Sequence, residues 1–205
     1  MPQNASQRKS RKRMAGVMVV MFLSVLFLSQ IGVAAQGPLE RLQAKVKVAG
    51  IGEMTPAQVA GKYSNPTKQF QFGLTGNDLY LFGDGAYIYD EWGDVEPTVI
   101  RDKGTWNVAD GFVNLKSDSE ITWDPDVERK FVAIHRLSRP NEILLVGTGR
   151  DLSDFEENSK DEPETELMVV CKERLRTITG KQTIKIKEQL MRESWRPEYF
   201  RKASR

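Results

Sequence analysis

Across residues 61–147 apolar and polar positions alternate in short runs rich in Tyr, Phe, Val and Ile, broken by Gly, Asp and Pro. That period of two, with turn residues between the runs, predicts half-buried strands joined by tight turns. Leu79 and Leu81 alternate with Tyr80 and Phe82, the chain turns at Gly83-Asp84-Gly85, and Tyr87 and Tyr89 then alternate with Ala86 and Ile88. Asp-Gly supplies the positive φ that a hairpin turn demands. The device recurs at Ala109-Asp110-Gly111, between residues 104–108 and 112–115. A third hairpin is predicted to turn at Ser138-Arg139-Pro140-Asn141. Its arms, 130–137 and 142–147, are largely apolar on both alternating sets, which predicts strands covered on both faces in the middle of the sheet. The fold expected is mainly β, an antiparallel meander over residues 61–171 forming a barrel or half-barrel.

The flanks read differently. In the lead-in of residues 36–60, the run from Thr55 to Ala60 predicts one helical turn, with Thr55 as N-cap and Pro56 at the first helical position. Residues 151–166 hold eight acids and one lysine, together with Pro163 and few apolar residues, and predict an exposed acidic loop. Residues 167–171 read as a closing strand. Residues 172–205 form a charged, partly helical tail with eleven basic and four acidic residues. Within it, 183–187 alternate like a strand, and 188–195 are more helical. The adjacent acidic and basic segments are placed to neutralise each other.

At the other end Arg8, Lys9, Arg11, Lys12 and Arg13 precede the uncharged stretch 14–35, which contains an apolar run from Val17 to Leu28 and ends in Val33-Ala34-Ala35. Basic, apolar and small-residue regions in that order predict an export helix cleaved before Gln36. An uncleaved membrane anchor is the alternative, since the stretch approaches the ~20 residues of a span, with its basic start held in the cytoplasm. Both readings export the remainder, to the periplasm or outside the cell. The polar Ser29-Gln30 pair and Gly32 shorten the strongly apolar part and favour cleavage.

Charge changes meaning once the leader is set apart. The 205 residues carry a formal net charge of +2, whereas the chain without residues 1–35 has 25 basic and 28 acidic residues, net −3. The basic excess sits in the leader, which removes the electrostatic case for nucleic-acid binding. The single cysteine, Cys171, forms no internal disulfide.

The series Gly61-Lys62-Tyr63, Leu79-Tyr80-Leu81, Asp84-Gly85-Ala86-Tyr87, Gly104-Thr105-Trp106 and Asp110-Gly111-Phe112-Val113 resembles small exported lipocalin-like (calycin-type) barrel domains, many of which have no assigned activity. The resemblance covers residues 61–115. The matching positions are structural, so it carries over no catalytic residue.

Candidate chemistry is sparse. His135 is the only histidine, so any site of several histidines is excluded, and the residue shares its strand face with Phe131, Ala133 and Leu137. A thiolate pair of Cys171 with His135 is conceivable on neighbouring strands, although Val169-Val170 before the cysteine points to a buried thiol. Asp90, Glu91, Asp94 and Glu96 flank Gly93, and Asp124, Asp126 and Glu128 surround Pro125. Asp90, Asp94 and Glu96 are the calcium candidates. Asp90, Glu91 and Asp94 are the candidates for an acid and base pair in a hydrolase of envelope polymers, which needs two carboxyls across one cleft. Gly147-Thr148-Gly149-Arg150 follows a strand, but with no helix expected after it the phosphate-binding argument lapses. The aromatics Tyr63, Tyr87, Tyr89 and Trp106 are the candidates for lining a ligand cavity. Trp195, Tyr199 and Phe200 lie among basic tail residues that could touch a membrane or an acidic partner. With no assembled nucleophile, base and orienting group, the expectation is a non-enzymatic envelope protein, without cofactor, binding a small apolar ligand or a partner protein.

Overall fold

A computed structural model describes residues 36–52, 54–65, 75–93, 98–118 and 128–193. The expected leader, the acids Asp94, Glu96, Asp124 and Asp126, and the aromatic end of the tail lie outside them. The described residues run in the order α1 (Pro38–Gln43), β1 (Val48–Gly50), α2 (Pro56–Val59), β2 (Gly61–Ser64), β3 (Thr75–Leu81), β4 (Ala86–Gly93), β5 (Val99–Ala109), β6 (Phe112–Ser117), β7 (Lys130–Arg136) and β8 (Arg139–Gly147). They continue with α3 (Arg150–Asn158), α4 (Pro163–Val170), β9 (Lys172–Arg176) and α5 (Gly180–Glu193).

From β2 to β8 each strand pairs antiparallel with the next. After the α3–α4 insertion, β9 pairs with both β8 and β2, which closes an eight-stranded barrel. Strand β1 is an addition: it pairs with β7 at residues 134–136, while β6 pairs with 130–132 of the same strand. The hairpins follow their turn chemistry. Gly85 has φ +83°, and Asp110 and Gly111 have φ of 54° and 78°, the left-handed pair whose twist matches that of the flanking strands. The third hairpin is tighter than expected. Arg136 pairs directly with Arg139, so Leu137 and Ser138 alone make the turn and Pro140 lies within β8. Both arginines bind Glu142, which clasps the turn. Strand β9 pairs with β8 only at Leu144 and Leu145, so no ladder bond from that side needs the N–H that Pro140 lacks.

A closed barrel has no middle strand, and the double coverage of β7 and β8 has another cause. Phe131, Ala133, Ile143 and Leu145 pack in the barrel interior with Tyr63, Leu79, Tyr87 and Trp106. The alternate residues Val132, Ile134, Leu144 and Val146 pack outside against Leu42 of α1, Leu152 and Phe155 of α3, and Leu167 and Val170 of α4. The acidic segment is therefore two helices rather than a loop. The buried residues of the two helices are three apart, 152 with 155 and 167 with 170, the spacing of one helix face. Leu152, Phe155 and Leu167 are buried to 2% exposure or less, each contributing about 1.5–3 kcal/mol. Lys45 donates to Glu156 O at 2.9 Å and to Ser159 Oγ at 2.7 Å, placing a cation at the C-terminus of α3.

The tail also differs from expectation. Residues 167–170 are helical, and the closing strand is β9 at 172–176, inside the basic segment. Residues 183–187 belong to α5, whose less exposed positions 183, 186, 187 and 190 follow helical spacing. Ile186 and Leu190 pack, with Ile178, on Tyr80, Phe82, Ile88 and Ile100 of the outer barrel wall. The acidic and basic segments make ion pairs elsewhere: Glu156 with Arg41, and Lys187 with Asp84. No helix among the described residues is long and apolar enough to cross a membrane.

Candidate functional site

The two ends of the barrel are built differently. At the end where β2 starts, α2 carries Val59 into the interior cluster, and the Tyr63 hydroxyl donates to Val59 O at 2.6 Å. Thr55 is the N-cap of this turn, as expected, and Gln58 adds to the cap, its Oε1 accepting the Thr55 N–H at 2.8 Å. Trp106 Nε1 donates to Phe82 O at 2.9 Å, and the Tyr87 hydroxyl donates to Asp102 Oδ2 at 2.7 Å. Asp102 is itself enclosed by donors, accepting also from Ser117 Oγ and from Lys103 N–H, with Arg129 3.8 Å away. Burial holds the Tyr63 and Tyr87 hydroxyls well above the usual tyrosine range. These three aromatics spend their polar atoms on the protein and belong to the packed interior cluster.

The opposite end opens into a cavity of about 270 Å³. Leu79, Leu115, Phe131 and Val170 supply its apolar lining, and Tyr89, the fourth aromatic candidate, stands beside them. Polar groups surround this lining. Lys172, the first residue of β9, donates to Asn77 Oδ1 and lies 5.4 Å from the centre of the Tyr89 ring, within cation–π range. Glu91 receives Arg101 at 2.7 Å, and Asn65 Nδ2 donates to Val169 O at 2.7 Å, tying β2 to α4 beside the opening. Glu128, Arg150, Asp151 and Asp154 complete the wall near α3.

That last wall bears on the glycine-rich run. A helix does follow Gly147-Thr148-Gly149, contrary to the expectation, and its first turn faces carboxylates of the chain itself. Glu128 Oε2 accepts the Gly149 N–H at 2.9 Å and Asp151 Oδ2 accepts the Gly147 N–H at 3.2 Å. A Cβ at Gly147 would stand 2.3 Å from Glu128 Cγ, so glycine is required for this approach. Amides that would cradle a phosphate are already given to carboxylates.

The remaining candidates do not converge. Asp90 and Glu91 are neighbours on β4 and face opposite sides: Glu91 lines the cavity, whereas Asp90 is buried in the outer wall opposite Asp78. They do not form a carboxyl pair across one cleft. Among the described residues no group of three or more His, Cys, Asp and Glu is placed to hold a metal ion. Cys171 is buried in the outer cluster, where loss of hydration pushes its thiol up to about 12, while His135 pairs with Ala49 of β1. The two are not brought together.

Sequence reasoning passed over Asn77, Lys172 and Asp102. The signal for each was a polar residue at an inward position of an alternating strand, visible once the register is known. No family model matches the chain, and no similar curated protein or solved structure is found for it.

Proposed function

We propose that this protein is an exported, lipocalin-like binding module that takes a small amphipathic molecule into the open end of its barrel. The observation that carries this reading is the cavity whose apolar lining, Leu79, Leu115 and Phe131, meets the polar groups Asn77, Lys172 and Glu91. Binding sites of this kind combine apolar contact with a few fixed polar groups, and about 270 Å³ lies at the small end of their range of roughly 300–1,000 Å³. The occupant is accordingly a single ring or a short chain with a polar head. The leader-like residues 1–35 support a location beyond the cytoplasmic membrane, in the envelope or outside the cell.

Native mass spectrometry of the protein purified from its own host is expected to detect a retained small molecule, and Leu115→Trp, which fills the cavity, is expected to lose it with the β spectrum intact. If no adduct appears and a fragment library leaves the NMR signals of Leu115 and Tyr89 unmoved, the binding reading is overturned.

A further inference from the structure

Away from the cavity, the outer barrel wall on which α5 packs holds an acidic pair in an unusual position. Asp78 on β3 and Asp90 on β4 are direct cross-strand partners, 3% and 1% exposed, and on each carboxylate Oδ1 is buried without a hydrogen-bond partner. Like charges directly opposite each other on a sheet repel, and burial removes the water that would screen them. One cation compensates them: Lys62 Nζ, on β2, stands 2.6 Å from Asp78 Oδ2 and 5.3 Å from the Tyr80 ring. With both acids ionised the group of three carries one uncompensated negative charge.

The Tyr80 hydroxyl also faces the pair, acted on by both carboxylates and hydrogen-bonded to Asp78. Glu91, next to Asp90, binds Arg101 on the cavity side. Arg176 of β9 pairs in register with Lys62 and acts on the Tyr80 hydroxyl. From β5 the partner of Asp90 is Ile100, and α5 contributes Ile186 and Leu190 to this wall, while its Lys187 binds Asp84.

We propose that the Asp78–Asp90 pair is a proton-binding site that holds one proton while this wall is closed, and that release of this proton loosens α5 from the barrel wall. The connection to α5 is direct packing: Ile88 and Ile100, which flank Asp90, are among the residues on which Ile186 and Leu190 rest. An anion left without a proton is relieved by water, and water reaches this wall only if its cover lifts. Burial first, and the neighbouring Asp78 second, push Asp90 up to about 7, which puts the release near neutrality.

Hydrogen exchange on the whole chain tests this. After correction for intrinsic rates, protection of the Ile186 and Leu190 amides is expected to fall about tenfold or more from pH 5.5 to pH 8.5, one decade per pK unit of coupling. Asp90→Asn is expected to abolish the fall. Asp78→Asn, a second route should the first variant fail to fold, removes the repulsion and is expected to move the transition to lower pH. Carboxyl 13C NMR of the unaltered chain is expected to show one group titrating near neutrality. Equal protection at both pH values, a fall that survives Asp90→Asn, or a dependence on sodium concentration instead of pH would each overturn the proposal.

Discussion

Asp102 and Asp90 sit on adjacent strands of one barrel, 3% and 1% exposed, and live under opposite rules. Asp102 faces inward and collects the Tyr87 hydroxyl, Ser117, the Lys103 N–H and Arg129. Asp90 faces outward on the wall that also carries α5, against another aspartate, with an oxygen that has no donor. Burial alone therefore does not decide what a carboxylate does to a fold; the number of donors brought to it does. The inner wall uses its acid to fix an aromatic core, while the outer wall tolerates an acid that strains it.

The largest expected effect breaks the inner side of this contrast. Asp102→Ala leaves the Tyr87 hydroxyl and Ser117 without their acceptor inside the barrel, and a loss of about 3 kcal/mol is expected by urea denaturation at pH 7. Tyr87→Phe, which removes the same hydrogen bond from its other end, is expected to cost about 1 kcal/mol. A loss below that for Asp102→Ala would mean that the four donors are not what holds this wall.

The outer side is expected to respond with the opposite sign. Asp90 holds its proton more tightly folded than unfolded, its folded value near 7 lying above the 3.8 of a free carboxyl. The native state thus carries the extra proton between those values, and stability declines as pH rises through that window, then levels off above it. Asp90→Asn is expected to raise stability at pH 8 by roughly 2 kcal/mol, part of the full linkage being offset by unmet hydrogen bonds of the new amide. Near pH 4 the gain is expected to vanish. A loss at pH 8 would show that the charged form of Asp90 supports the fold.

What the sequence made legible follows the same division. Strand alternation and Asp-Gly turns are local, so β3 to β6 and their hairpins could be read directly from residues 75–117. Closure by β9 could not, because a strand of sequence Lys172-Glu173-Arg174-Leu175-Arg176 has its apolar neighbours on β2 and β8, more than twenty-five residues away in the chain. Composition misled at residues 151–166, where eight acids outweighed the spacing of Leu152 and Phe155 that makes α3 amphipathic. At the cavity, Tyr89 was recognisable as an aromatic at an inward position. Lys172 and Asn77 were not, since only the closure of the barrel sets one beside the other.

The smallest effect sharpens the reading of the tail, where two isoleucines separate strand from helix. Ile184 and Ile186 fall on one face of a strand, and a strand docked on the barrel would bury both. In α5 they diverge by about 200° around the helix axis. Ile184 is 67% exposed, and Ile186 packs on Phe82 and the residues around it. Ile186→Ala is expected to lower stability by about 1–2 kcal/mol, less than the full core cost because the residue is only partly buried. Ile184→Ala is expected to stay within about 0.5 kcal/mol of the parent, as surface substitutions do. Equal losses at the two positions, measured in the same denaturation series, would return residues 183–187 to the extended conformation that their alternation suggests.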